Sequence, residues 1–246
     1  MKIIASDYDG TLNHGGIDDA KRAAVAEWQQ KGNLFVVVTG RDKFFCPAMK
    51  EDSGINMDYY LACNGALILD RAFNTIEETR IDKAVIVPLL EYLFTLNCDW
   101  GHICAEESTR IYNPDCADAP ENAHTLADAE KIEFCNQIST ALPTFDEAAR
   151  VTAAIKEKFG DVLNPLQNGT CIDIVPVGMD KAQGIYRLLK ICGAQYEDVI
   201  TVGDNVNDIA MLKEFYSYAM ENGVDAVKQI ADKTTPSVTQ LIYNEL

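Results

Sequence analysis

Two carboxylates stand one residue apart near the start of the chain, in the sequence DYDGT of residues 7–11. The apolar residues 3–5 predict a short buried strand, and Gly10 lets the backbone bend sharply where that strand ends. Two acids this close ionise together in a crevice of low dielectric only at a cost, which a cation between them removes. Because Mg²⁺ prefers oxygen ligands, Asp7 and Asp9 are candidate magnesium ligands. A solvated acidic turn would have the same sequence, so the assignment depends on the rest of the chain.

A second polar segment, Thr39-Gly40-Arg41, follows the apolar run of residues 33–38. The run is too continuous for a half-solvated strand and predicts a buried one. A hydroxyl, a flexible backbone N–H and a guanidinium at a strand end can hold a phosphate oxygen by hydrogen bonds and charge. The same three residues also occur at ordinary strand exits.

Two further segments carry charged residues, one at the start of a predicted helix and one after a predicted strand. Asp180 can cap a helix whose first turn contains Lys181. A lysine there opposes the usual preference for acids, but its ammonium and the helix N-terminus together suit an anion. The buried strand predicted over residues 199–202 leads to Asp204, and Asp208 follows one helical turn later on the same face.

Strand and helix alternate through the first part of the chain. Asp18 can cap a helix over residues 19–31 that Gly32 ends, and an apolar run over residues 59–69 is interrupted by a hairpin turn at Asn64-Gly65. Asn64 is for that reason more often structural than catalytic. The alternation returns after Pro176 and continues to a helix near residue 225. This rhythm predicts an α/β fold with a doubly wound parallel sheet, whose strand ends lie along one edge and can form a site.

The middle of the chain has a different pattern. It predicts a mixture of elements without regular alternation: a helix over 82–97 that Pro88 starts or kinks, a strand pair over 98–113, a loop over 113–122, a helix opened by the capping box at Thr144, and a hairpin at Asn168-Gly169. We therefore expect a core domain of residues 1–79 and 177–246 with an inserted α+β domain of residues 80–176.

Composition limits the partners. The 246 residues include 21 basic and 38 acidic side chains, a net charge of −17, and 48% are hydrophobic. This field disfavours nucleic acid and membrane surfaces, whereas a small phosphorylated metabolite can bind where a metal and a few cations reverse the local sign. The eight cysteines form no C-x-x-C pair, and no signal peptide or membrane-spanning stretch is recognisable. We expect a cytoplasmic protein without thiol-bound zinc; the oligomeric state is not indicated.

The order and spacing of these segments resemble the haloacid dehalogenase-like phosphohydrolase superfamily. Its four motifs correspond here to D-x-D-G-T, a strand ending in T-G-R, a lysine at position 181, and G-D-N-x-N-D from residue 203. Asn64-Gly65-Ala66 and Ala219-Met220-x-Asn222 resemble its Cof-type, class IIB subgroup of small-metabolite phosphatases. In that subgroup a large cap lies between the second and third motifs, so residues 80–176 would be the cap.

The resemblance implies a role for each matching residue. Asp7 would be the nucleophile that forms an aspartyl-phosphate, and Asp9 would be the acid that protonates the leaving oxygen and then activates water. Mg²⁺ would be held by the Asp7 carboxylate, a backbone carbonyl at Asp9, and Asp204. The remaining assignments are phosphate binding by Thr39, Gly40, Lys181 and Asn207, and support from Asp208, Arg41 and Asn64.

The function implied is Mg²⁺-dependent hydrolysis of a small phosphomonoester, such as a sugar phosphate. A phosphotransferase or phosphomutase could use the same core. A phospho-accepting signalling domain also pairs acids around Mg²⁺, but Asp9 and the large insert disfavour it. Since the core would supply contacts that every substrate shares, we expect the insert to act as lid and specificity element.

Overall fold

A computed structural model describes residues 1–246. It contains fifteen strands: β1 (Ile3–Ser6), β2 (Leu34–Val38), β3 (Tyr59–Ala62), β4 (Leu67–Asp70), β5 (Thr75–Glu78), β6 (Ile81–Asp82), β7 (Trp100–Cys104), β8 (Ser108–Tyr112), β9 (Phe134–Cys135), β10 (Gln137–Ala141), β11 (Leu163–Asn168), β12 (Cys171–Pro176), β13 (Val199–Gly203), β14 (Tyr216–Met220) and β15 (Lys233–Thr235). The nine α-helices are α1 (Asp19–Gln30), α2 (Phe45–Ser53), α3 (Lys83–Thr95), α4 (Leu126–Ala129), α5 (Phe145–Phe159), α6 (Lys181–Cys192), α7 (Ile209–Glu214), α8 (Asp225–Lys228) and α9 (Val238–Glu245). None of the helices is both long enough and apolar enough to span a bilayer.

The chain forms two compact units. The core unit consists of Met1–Glu77 and Asp180–Leu246, and the insert consists of Glu78–Met179. The boundaries expected from the sequence, residues 80 and 176, both fall inside the insert.

The core unit contains an eight-stranded sheet in the order β15-β14-β13-β1-β2-β3-β4-β5. The strands from β15 to β3 are parallel, and β4 turns back antiparallel to β3. In the central register Ser6 lies opposite Val202 on one side and Val37 on the other. The residues that follow β1, β13 and β2 therefore emerge side by side. The predicted α/β fold with a parallel sheet is confirmed.

The sheet forms because its central strands are continuously apolar and covered on both faces. Ile3, Ile4 and Ala5 are fully buried. Ile3 and Ala5 belong to the cluster that includes buried residues of α6 and α7. Helix α1 packs on β2, where the buried Trp28 donates its indole N–H to the carbonyl of Leu34 at 2.8 Å.

The predicted helix ends are present in the core unit. The Asp18 carboxylate accepts the Lys21 N–H at the start of α1, and Asp180 accepts the Gln183 N–H at the start of α6. Gly193 ends α6 in the left-handed conformation. Helix α2 was not predicted, because no side chain caps its N-terminus to signal where it begins.

The insert contains a five-stranded antiparallel sheet in the order β11-β12-β10-β7-β8 and a short pair of β6 with β9. One face of the sheet packs its apolar residues into a buried cluster with residues of α3 and α5. The sheet residues in this cluster include Ile103, Ile138 and Ile172. Thr144 caps α5 as predicted: its hydroxyl accepts the Glu147 N–H at 3.2 Å and donates to the Glu147 carboxylate at 2.9 Å. Pro88 lies inside α3, which begins at Lys83, so the alternative that this proline starts the helix is wrong.

Candidate active site

The turn after β1 is built around a glycine. The Asp7 N–H donates to the Val202 carbonyl at 2.9 Å, which fixes the nucleophile candidate against the neighbouring strand. Gly10 has a φ of +79°, and a Cβ there would stand 2.4 Å from an oxygen of Asp204. Only glycine fits this backbone and this close approach. The turn thereby brings the first and fourth motifs into contact.

Lys181 is the centre of the site. Its side chain is fully buried, and its ammonium lies 2.6 Å from Asp7 Oδ1 and 2.6 Å from Asp208 Oδ1. Burial lowers the pKa of this lysine, but the two carboxylates outweigh burial and raise the pKa above its ordinary value. A buried charge is tolerated only when it is paired and hydrogen-bonded, and Lys181 satisfies both conditions. It joins segments 174 and 27 residues away along the chain.

The two acids of the fourth motif are held by different groups. Asp204 accepts a hydrogen bond from the Thr11 hydroxyl at 2.7 Å. Asp208, fully buried, accepts the backbone N–H groups of Asp204 at 2.9 Å and of Asn205 at 3.0 Å through Oδ2. A Cβ on Gly203 would stand 2.5 Å from Asp208 Cγ, so this glycine makes room for the carboxylate.

Three carboxylates converge beside one ammonium. Oxygens of Asp7, Asp204 and Asp208 lie within 4.8 Å of one another. With Lys181 the group carries a formal charge of 1 − 3 = −2. Burial raises the pKa of Asp7 to about 8; Lys181 opposes this shift, whereas Asp208 and Asp204 add to it. Burial also raises the pKa of Asp204. This unbalanced charge and the all-oxygen donor set fit a hard divalent cation such as Mg²⁺.

Asp9 has a different environment. Arg41 donates two hydrogen bonds to its carboxylate, from Nε at 2.7 Å and from an Nη at 2.6 Å. These bonds raise the pKa of Arg41. The guanidinium also lies over two aromatic rings, 5.7 Å from the centroid of Tyr8 and 5.3 Å from that of Phe45. About half of the Asp9 side chain is exposed, so it is accessible to a reacting group.

Thr39 and Asn64 are linked through the backbone. The Thr39 side chain is buried, its hydroxyl accepts the Arg41 N–H at 3.1 Å, and its carbonyl accepts the Asn64 N–H at 2.9 Å. Asn64 is buried in a left-handed conformation with φ of +50°, inside the turn between β3 and β4. It supports the loop that carries Thr39. Gly40 beside it is partly buried.

Asn207 lies, partly buried, in the short 3-10 turn Val206–Asp208. Three residues of the site had no assigned role in the sequence analysis: Thr11, Gly203 and Asn222, whose amide donates to the Gly10 carbonyl at 2.9 Å. All three lie within the motif segments, and this position was the only sign in the sequence that they belong to the site. Their tasks depend on contacts between motifs, which spacing along the chain does not reveal.

Comparison with known proteins identifies the class. A family model for haloacid dehalogenase-like hydrolases matches residues 4–241. The chain is 29% identical over 241 residues to the 5-amino-6-(5-phospho-D-ribitylamino)uracil phosphatase YcsE of Bacillus subtilis, covering 96% of this chain and 90% of the relative. It is 26% identical to the pyridoxal phosphate phosphatase YbhA of Escherichia coli, covering 100% and 98%. Its fold matches that of a haloacid dehalogenase subclass IIB sugar phosphatase with a TM-score of 0.79 at 20% identity, covering 100% and 99%.

The chain therefore belongs to the haloacid dehalogenase-like hydrolase family. The resemblance drawn from the four motifs is confirmed, as is the expectation of a hydrolase.

Proposed function

We propose that this protein is a Mg²⁺-dependent phosphatase that hydrolyses a small phosphorylated metabolite through an aspartyl-phosphate on Asp7. The observation that carries the proposal is the buried ammonium of Lys181 bonded to both Asp7 and Asp208 beside Asp204. Burying an ammonium with two carboxylates carries a large desolvation cost, and ionisable groups in such environments cluster at functional sites. The matched relatives that are named as phosphatases support the reaction class.

In the first step an Asp7 oxygen attacks phosphorus and the bond from phosphorus to the ester oxygen breaks. Lys181 holds Asp7 in place through Oδ1 and puts positive charge next to the oxygens of the transferring group. When bound, Mg²⁺ would neutralise the charge of Asp7 and Asp204 and of the phosphoryl oxygens. The Thr39 hydroxyl and the backbone at Gly40, with Asn207, complete the proposed phosphate contacts.

Asp9 moves the protons. In its acid form it donates a proton to the departing oxygen, and as a carboxylate it then accepts one from the water that attacks the acyl-phosphate. That second attack forms phosphate and restores the Asp7 carboxylate. Arg41 orients Asp9 through two hydrogen bonds on the solvent-accessible side of the site.

We further propose that the insert is the cap and that it selects among leaving groups. The sequence-based bounds of this cap, residues 80–176 between core segments 1–79 and 177–246, lie within the insert Glu78–Met179. The site's contacts with a phosphoryl group come from the core unit and are common to all substrates. A cytoplasmic location is part of the proposal and is supported by eight free thiols.

The test is a screen of sugar phosphates, nucleotides and vitamin-precursor phosphates for release of inorganic phosphate. We expect release with Mg²⁺, none with EDTA, and none from Asp7→Asn, whose amide is a poor nucleophile and metal ligand. Asp118→Asn, which neutralises an exposed acid of the insert, is the matched control and should behave as wild type.

Two results would contradict the proposal. Phosphate release that persists in Asp7→Asn would exclude the nucleophile. If ³¹P NMR instead showed a sugar phosphate being converted to an isomer without release of phosphate, the phosphomutase alternative would be established.

A further inference from the structure

An exposed aromatic ring lies next to the proposed acid of the site. Phe45, the first residue of α2, is 46% exposed, and its ring lies under the Arg41 guanidinium at 5.3 Å. The same guanidinium binds the Asp9 carboxylate at 2.6 and 2.7 Å. Arg41 therefore joins the group that handles the leaving oxygen to a flat apolar surface.

The arrangement restricts what can lie there. Arg41 is positioned by its two hydrogen bonds to Asp9 and by the buried ring of Tyr8, whose centroid lies 5.7 Å from the guanidinium carbon, so its planar group is fixed before any ligand arrives. The part of the Phe45 ring that stays exposed beside this fixed guanidinium offers a flat apolar surface at little cost in side-chain entropy. A planar ring gains stacking energy on such a surface, whereas a polyol chain gains less because it also brings hydroxyl groups against an apolar ring.

A neighbouring residue provides an internal comparison. Phe44 is equally exposed, at 47%, but it is associated with the Lys43 ammonium at 5.2 Å instead of Arg41. Two adjacent phenylalanines thus have the same exposure, and only one of them is connected to Asp9.

We propose that Phe45, with the Arg41 guanidinium, forms a subsite for a planar aromatic ring in the leaving group, so that the favoured substrates are phosphate esters of ring-bearing alcohols. This assignment rests on the proposed phosphatase function, because it takes Asp9 as the group beside the leaving oxygen. Within that function it selects aromatic over purely aliphatic phosphomonoesters.

The test uses two ligands of the same size that differ in flatness. Benzylphosphonate and cyclohexylmethylphosphonate, which cannot be hydrolysed, are titrated by calorimetry into the full-length protein with Mg²⁺ in the buffer. We expect wild type to bind the benzyl compound on the order of 10-fold more tightly, in line with stacking of one ring. Phe45→Ala should abolish this preference, Phe45→Trp should restore it, and Phe44→Ala should keep it.

Equal affinity of wild type for the two phosphonates, or a preference that survives in Phe45→Ala, would overturn the subsite. Circular dichroism checks that each variant is folded. If Phe45→Ala does not fold, the comparison of wild type with Phe45→Trp still gives a decisive result. Failure of the proposed function is separable, since it would appear as no phosphate release from benzyl phosphate or any sugar phosphate. Binding of the phosphonates does not depend on that reaction.

Discussion

The core unit and the insert place their polar side chains in opposite ways. In the core unit the carboxylates of the candidate site follow the ends of parallel strands, and the central strands themselves are apolar and buried. In the insert polar residues lie along the strands. One row of polar residues crosses four neighbouring strands in register: Arg110 on β8, His102 on β7, Ser139 on β10 and Asp173 on β12. Within this row the Ser139 hydroxyl donates to Asp173 at 2.7 Å.

The difference follows from how each sheet is covered. The parallel sheet has helices on both faces, so only its edge can present functional groups. In the insert the helices α3 and α5 share the buried cluster with one side of the sheet, and the alternation of strand side chains sends the polar residues to the other side. The core unit thus favours a compact charged centre, and the insert favours an extended polar surface.

The strongest test of this contrast removes one ammonium from each unit. Lys181→Met would leave Asp7 and Asp208 buried without their cation, so we expect unfolding to become easier by about 3–5 kcal/mol. Phosphate release should fall by about 10²–10³-fold, the cost of losing one charged donor at a reacting group. Urea denaturation and phosphate assays measure the two effects.

Lys131→Met is the matched variant in the insert. Lys131 also pairs with an acid, Asp128, at 2.8 Å, but its side chain is 74% exposed. We expect no measurable change in activity, because solvent screens such pairs. Equal losses in the two variants would mean that burial does not distinguish the two units.

A second test adds one methyl group to each unit. In Gly203→Ala the new Cβ would meet Asp208 Cγ at 2.5 Å and displace a carboxylate that is fixed by two backbone N–H groups. A shift of this kind should lower kcat by roughly 10²-fold. In Gly101→Ala the new Cβ would meet the end of the flexible Leu90 side chain at 2.3 Å, so we expect lower stability without loss of kcat. Full activity in Gly203→Ala would show that Asp208 need not be held precisely.

These contacts also show how far the sequence could be read. The alternation of strand and helix was enough to predict a parallel sheet, and the apolar runs that end at Asp7, Thr39 and Asp204 were enough to predict the edge that carries the site, because strand ends converge there. The bond from Thr11 to Asp204 spans 193 residues, and no local pattern indicates it. The register of His102 with Ser139 and Asp173 was equally inaccessible, since antiparallel pairing is fixed by turns and alternation over the whole insert.

A third test concerns the polar row of the insert. Asp173 is buried and accepts hydrogen bonds from Ser139 and from the Gln137 amide at 3.2 Å. If the insert selects leaving groups, Asp173→Asn should raise KM for a hydroxyl-rich sugar phosphate by about 10-fold, the cost of an altered polar contact. KM for 4-nitrophenyl phosphate should not change, because that substrate has no hydroxyl groups to recognise. Equal changes for both substrates would assign Asp173 to the stability of the insert alone.

The finest test replaces one stacked arginine in each unit by lysine. Arg41 lies over the ring of Phe45 and Arg110 lies over the ring of Trp100, at 4.2 Å, so both substitutions keep the charge and remove the planar group. Only Arg41 also binds a carboxylate with two hydrogen bonds.

A lysine at position 41 can make a single bond to Asp9 and leaves the carboxylate free to rotate, so proton transfer to the leaving oxygen should slow. We expect kcat of Arg41→Lys to fall a few-fold with an unactivated sugar phosphate and less with 4-nitrophenyl phosphate, whose leaving group needs little protonation. For Arg110→Lys kcat should equal that of wild type with both substrates. The comparison fails if Arg41→Lys slows both substrates by the same factor, because Arg41 would then act on the phosphoryl group and not through Asp9.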